Sequence, residues 1–529
     1  MRRPLVVSVL AVLAFAAACS GGGSKKPSSS STGDSTPVAG GTLRLGIERP
    51  HSFDPAAVVP GAQSDLVMAD LLFDGLTTEA AGASAAQPAL ASSWKPSADL
   101  KVWTFTLRSG AVFGNGRAIT ATDVKYSIER IVKQGESSLG SVRLEAITGW
   151  HDLIAGTAAE LAGVKAVNPQ TVEFDLDTPF ASFPELVSSP VYGVVPKEAV
   201  EAASPAFATA PVGSGPFTYV GTAGDIVTLK RATGSSAYVD TVEVHLYNDE
   251  ATAYNDFVAG KLDWSPVPQA KVDEAVSRYG SGAFRPFHAE LFYAFNLLDP
   301  ALADARYRQA IVKAVDRKAI VKAVYPNTAA PLDSLVPDGV PGHVADACGV
   351  ACSYDPAAAK VLVAQAFPNG GMPTVHLDYV TSPTADAIVG AIQTGLSAAG
   401  IPSETRPKAA ADYDQFVTTG QEGLFQFGWI GLYPDPDAYL VPLFTGGSRD
   451  NAMGFALTDV DTELSTARST TDPVARLAAF QKAESTILSY VPIVPIAQLL
   501  TKVVVSSHVK DLVLSVGGTF AAEKVWLRP

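Results

Sequence analysis

The sequence predicts a multi-lobed α/β or α+β body, exported from the cytoplasm and carried on a flexible tether. Three observations lead there. The chain opens with a basic head, a short apolar run and small residues before a cysteine. A polar Gly/Ser/Thr/Pro tract follows. From there to the C-terminus, strand-type alternation is interleaved with helix-type apolar stripes, without a strict βαβ rhythm.

Met1-Arg2-Arg3-Pro4 precedes an uncharged apolar stretch from Leu5 to Ala18, which ends at Cys19. This is the anatomy of a secretory signal. The run is shorter than the about 20 residues a membrane-spanning helix needs. Residues 1–18 are therefore read as the signal and 19–41 as the start of the exported chain. From Ser20 to Gly41 there is almost nothing to bury, so ordering this segment cannot be offset. About 20 such residues reach about 25 Å, enough to hold a body off a surface.

The folded part begins with a short strand at 41–46. Lys101–Leu107 alternates, with Trp103, Phe105 and Leu107 on one face. Thr171–Leu176 repeats this with Val172, Phe174 and Leu176, and Thr241–Tyr247 does so again. Such strands have one buried and one wet face. Thr120 to Asp123 resembles a capping box opening a helix with Val124, Ile128 and Ile131 on one stripe. Asp304 to Tyr325 is predicted as one helix burying Tyr307, Ala310, Ile311, Ala314 and Val315. Asp472-Pro473 sets an N-cap before a proline at the first helical position, and Leu477, Phe480, Ile487 and Leu488 are expected to face inward. Pro492 and Pro495 turn the chain into a last strand near Leu500–Val505.

The 529 residues suffice for two or three domains. Removing Arg2 and Arg3 with the signal leaves 53 acidic against 37 basic residues, a net charge of −16. An acidic body without a basic stripe argues against nucleic acid as a partner and against electrostatic adhesion to anionic lipid. Cys348 and Cys352 have three residues between them, one a glycine, and in an oxidising compartment a disulfide pinning a loop is the default. Half of a metal site or a redox pair are the rival readings, with only His343 nearby.

No catalytic signature stands out. The histidines are scattered singly and form no HExxH pair. Gly213-Ser-Gly-Pro216 is not a nucleophile elbow, and no phosphate-binding GxxxxGK[ST] occurs. Asp435 and Asp437 could be paired carboxylates, but Pro434 and Pro436 around them favour a turn. No enzyme, metal or cofactor is predicted.

Several stretches in order resemble one family, the extracytoplasmic solute-binding proteins of peptide, oligopeptide and nickel ABC importers, family 5. They are Gly40–Gly46 with Ser52-Phe-Asp-Pro55; Leu72–Thr77; Pro88–Trp94; Trp103–Phe113 with Asn115-Gly116 and Thr120–Ser127; Val212–Phe217; Phe295-Asn296 with Arg306–Arg317; Gly428–Asp437; and Val491–Pro495. The cut before Cys19 likewise resembles a bacterial lipoprotein signal, although Ala16 stands where that pattern usually has Leu. It implies that Cys19 becomes a lipidated N-terminus, ordinary secretion being the alternative.

The family resemblance implies a two-lobed periplasmic-binding-protein-like (Venus flytrap) fold with an extra inserted domain. Domain I would comprise 42–72, 188–286 and 492–529. Domain II would be the insertion 73–187, and domain III would be 287–491, with crossings near Phe287 and Pro492. A peptide or peptide-like solute would lie between domains I and III and be presented to ABC permease subunits. The protein would be a monomer in the cell envelope, tied to the membrane by its lipid. The implied lining is Arg49, His51 and Phe53; Trp264, Ser265 and Val267; and Gly428, Trp429, Gly431 and Leu432. Gly428 and Gly431 would admit a ligand backbone or simply make a turn, and Trp429 would be pocket wall or core.

One departure bears on the ligand. Peptide binders of this family usually carry Asp three residues after the tryptophan, pairing with the ligand's α-amino group. Here that position is Leu432. A buried ammonium without a counter-charge costs several kcal/mol. Either Asp435 substitutes, or the solute lacks an amine there. The alternative function is a non-transporting envelope lipoprotein on the same fold, a regulator or scaffold. A secreted hydrolase is a third reading.

Overall fold

The computed structural model describes residues 36–529 except 60, 80–84, 282–283 and 420–422. The signal segment, Cys19 and the tether up to residue 35 lie outside the described residues. Residues 37–529 make up the body.

Its frame is three larger sheets. In the first, Thr42–Glu48 lies parallel to Thr241–Tyr247, so that Leu43 and Leu45 align with Val242 and Val244. Ile226–Arg231 and Phe217–Ala223 extend it on one side, Trp264–Pro266 and Val503–Val505 on the other. The period-two pattern explains the core: Leu43, Leu45, Val227, Leu229, Val242 and Val244 are all buried.

The second sheet is an antiparallel four-stranded unit ordered Ala91–Pro96, Val102–Leu107, Thr171–Asp175, Val164–Asn168. Trp103, Phe105, Leu107, Val172 and Phe174 all point into its core. The helix Ala121–Val132 packs there through Val124, Ile128 and Ile131. The backbone N–H of Thr120 donates to the Asp123 carboxylate at 2.9 Å, so the acid satisfies a donor left open at the helix start.

The third sheet runs Ala329–Pro331, Ile493–Thr501, Arg285–Phe295, Leu424–Ile430, Val375–Val380, Ser403–Lys408. Arg285–Phe295 is antiparallel to both of its neighbours. This strand and Ile493–Thr501 join the first and third sheets. They pair at Arg285/Thr501 and Pro286/Leu500. The chain stays in the third sheet to Thr501, so the return crossing falls at Lys502 rather than at Pro492.

Two helical expectations change. The helix expected over 304–325 is two, Ala305–Ala314 and Arg317–Val324. Asp316 breaks it by accepting a hydrogen bond from the Ala319 backbone N–H, a local alternative that Asp offers a chain. In Pro473–Ser489 the inward stripe includes Arg476, while Leu477 is only half-buried.

Candidate functional site

A mostly apolar cavity opens where segments of all three sheet regions meet. One wall is the loop Pro55, Ala56, Val58, Val59 and the following Leu66. A second is Ile131 with Ser188, Ser189 and Val191. A third is Phe287, Ile430, Gly431 and Leu432. Glu79 and Thr519 complete it.

Buried carboxylates position the first wall. Asp54 caps the turn Pro55–Ala57 through the Ala56 N–H and is ion-paired with Arg130, whose Nη1 lies 2.7 Å from Oδ1. Asp65, fully buried, accepts from the backbone N–H groups of His51 (2.8 Å) and Val59 (3.0 Å). An irregular loop is thereby held rigid by charge-assisted hydrogen bonds.

The third wall continues the strand Leu424–Ile430. Gly431 is needed because a Cβ there would stand 2.3 Å from the Tyr439 ring. A Cβ at Gly428 would stand 2.8 Å from the Glu290 carbonyl oxygen. Neither glycine is in the left-handed region, so contact with the protein's own atoms accounts for both. Glu290 is buried, its Oε1 has no hydrogen-bond partner among the described residues, and burial raises its pKa well above the usual range.

Of the residues expected to line a pocket, Gly431 and Leu432 do so here. Trp429 is partly buried beside them; its indole N–H donates to Ala438 O at 2.7 Å, and the Arg143 guanidinium lies 4.8 Å from its ring centre. Arg49 instead pairs with Asp225 at 2.6 Å on the surface. The His51 ring is exposed, 3.3 Å from Asp65. Phe53 is in the core of the first sheet region. Trp264, Ser265 and Val267 are buried, and Ser265 Oγ donates to Pro266 O. None of these lines the cavity.

Asp435 is not presented as a ligand anchor. It is 1% exposed and ion-paired with buried Arg476, and Ser182 Oγ donates to it at 3.0 Å. Val58, Val59, Leu66, Ser189 and Glu79 line the cavity without having been singled out in the sequence, and Ile131, expected only as a core residue of its helix, lines it as well. Among the described residues no lysine or arginine lines it, and no helix is long and apolar enough to cross a membrane.

A family model for bacterial extracellular solute-binding proteins, family 5, matches residues 85–451. The chain is 28% identical over 442 residues to the dipeptide-binding protein DppE of Bacillus subtilis (strain 168), covering 78% of each. It resembles in fold the unliganded open form of the murein tripeptide binding protein MppA, with TM-score 0.79 and 24% identity over 92% of this chain and 97% of that one. It also resembles clavulanic acid biosynthesis oligopeptide binding protein 2, with TM-score 0.81 and 20% identity over 93% and 96%.

Proposed function

The chain belongs to the bacterial extracellular solute-binding proteins of family 5, and on that premise we propose that it takes a peptide or peptide-like solute into the cavity bounded by Gly431 and Leu432. It is an extracytoplasmic binding protein of an ABC importer, not an enzyme. The observation that carries the ligand class is the cavity itself: mostly apolar, and bordered by the end of the strand Leu424–Ile430. Extended solutes can add to such an edge by backbone hydrogen bonds while apolar walls take side chains. DppE and MppA, by their names, bind peptides.

We read the body as three lobes, one on each larger sheet, with 73–187 inserted and the return crossing at Lys502. Gly431 and Leu432 are the contacts retained from the expected lining, with Trp429 beside them. The lobes close on the solute about the paired crossing strands, because a few φ/ψ changes in two strands swing rigid bodies. Ligand favours closure only through its extra affinity for that state. Cys19 carries the lipid anchor, and the protein acts as a monomer with its permease.

The test is mass spectrometry of small molecules released on denaturing protein purified from its native host. Short peptides or a peptide-derived species support this reading. A single non-peptide species overturns it.

A further inference from the structure

Glu79 is an anomaly in the cavity wall. It lies just after the short strand Thr77–Thr78, at the point where the apolar cavity meets a wider, more polar space lined by Asp70, Asp74 and Arg108. Its fold-internal contacts do not account for a charge there. The carboxylate accepts a hydrogen bond from the Val516 backbone N–H, and no cation is among the groups acting on it. Arg108, the nearest candidate lining the wider space, is committed to Asp74 at 2.9 Å. Desolvation pushes the Glu79 carboxyl up to about 7, with no cation acting to lower it.

A second, independent observation lies in the same wall. Ser189 is 4% exposed, lines the cavity, and its Oγ has no hydrogen-bond partner among the described residues. The other hydroxyls have partners: Ser188 donates to Glu185 O at 2.7 Å, Thr519 pairs with Ser515 at 3.2 Å, and Ser138 accepts from the Ser141 backbone N–H at 3.3 Å. A buried unpaired hydroxyl costs free energy unless something else completes it. Among the described residues the cavity thus offers one acid without a cation partner and one hydroxyl without a hydrogen-bond partner.

We infer that Glu79 is a specificity-determining contact that seats the amino group of a largely apolar solute, taking the role for which Leu432 supplies no acid. The inference rests on the reading of this cavity as the solute site. Ser189 Oγ supplies a hydrogen bond to the solute's polar atoms. Because no lysine or arginine lines the cavity among the described residues, the solute's carboxylate, where it has one, stays outside or is blocked. The solute class is an amphipathic amine, an apolar peptide with a free N-terminus being one example. An ammonium so placed would be paired and desolvated together with Glu79, the arrangement in which a charge-assisted hydrogen bond discriminates best. Asp70, on the helix Gln63–Leu72, and Tyr439, on Asp437–Phe444, are titratable groups that feel the Glu79 charge.

The experiment uses the mature protein, freed of bound solute, with trileucine amide, its N-acetyl form and octylamine as probes, read by calorimetry and thermal shift. The wild type should bind free-amino trileucine amide at least about tenfold more tightly than the acetylated form. Glu79→Gln should lower affinity for the free-amino form to that of the acetylated one, leaving the latter unchanged, which also shows the variant is folded. Leu432→Asp in the Glu79→Gln background should restore the preference. Equal wild-type affinity for both peptides, or a preference that survives Glu79→Gln, overturns the inference. If neither peptide binds while octylamine stabilises the wild type and not Glu79→Gln, the amine contact stands and the peptide reading falls. A wild type indifferent to all three probes overturns the inference.

Discussion

Asp435 and Arg476 form an ion pair in which both side chains are almost completely buried. Arg476 Nη1 also donates to Ser182 Oγ at 2.6 Å, tying residues far apart in the chain into one polar cluster. Removing one partner strands the other, so Asp435→Asn should destabilise by about 3–5 kcal/mol, whereas replacing both with apolar residues of similar size should come close to neutral. Urea denaturation of the two variants and the wild type checks this, with solute affinity expected to stay unchanged. An Asp435→Asn protein of normal stability that no longer binds solute would return Asp435 to the ligand. The turn around Asp435 was legible in the sequence because two prolines announce it locally. Its partner was not, because Arg476 sits in a helix whose apolar stripe was the visible signal. The same limit applies to Gly431: a glycine announces that something is close, and only the fold says it is Tyr439.

Elements were legible where the deciding interactions are local. Thr120 with Asp123, and Asp472 before Pro473, cap the helices they were expected to cap. The strands at 102–107 and 171–175 bury the predicted face. The break at Asp316 was missed because apolar spacing continues across it. The loop Cys348–Cys352 combines both kinds of information. The two cysteines are joined by a disulfide, and the short turn between them is also held by the neighbouring helices. Lys313 donates to Val350 O and Arg317 to Cys352 O, each at 2.6 Å. A cross-link closing so short a loop removes little chain entropy. Replacing both cysteines with serine should therefore cost about 2 kcal/mol or less and leave solute binding intact. Parallel urea melts and calorimetry decide it. A loss of affinity would mean this loop is coupled to the cavity, which its position away from the lining residues does not predict.

At the scale of the whole molecule, the charge balance was visible in the sequence, but the concentration of stressed acids around the cleft was not, since it depends on which loops converge. Burial pushes Asp74 up to about 6 and Glu79 up to about 7, and it raises Asp70 and Glu290 as well. Partly exposed acids such as Asp256 and Asp304 go the other way, held down by hydrogen bonds from Lys261 and Arg306. The two groups act in different pH ranges. The lowered acids lose their contribution only as pH falls through and below the ordinary carboxylate value of about 4. Between about 4 and about 7 the raised acids dominate. There the folded, ligand-free protein holds protons that the unfolded chain has released, so stability must fall as pH rises. His245, pushed down by burial, opposes this trend below its ordinary value, but it is one group against several. Since one pH unit of displacement corresponds to about 1.4 kcal/mol, Asp74 and Glu79 together carry a few kcal/mol. The melting temperature of solute-free protein should therefore decline from about pH 5 to about pH 8. Glu79→Gln should remove part of that decline, and a bound amine should do the same by making the ionised carboxylate the favoured form. A melting temperature that is flat or rises across this range would mean that these acids find counter-charges in solution, and the cleft would then lack the unpaired acid that selects its solute.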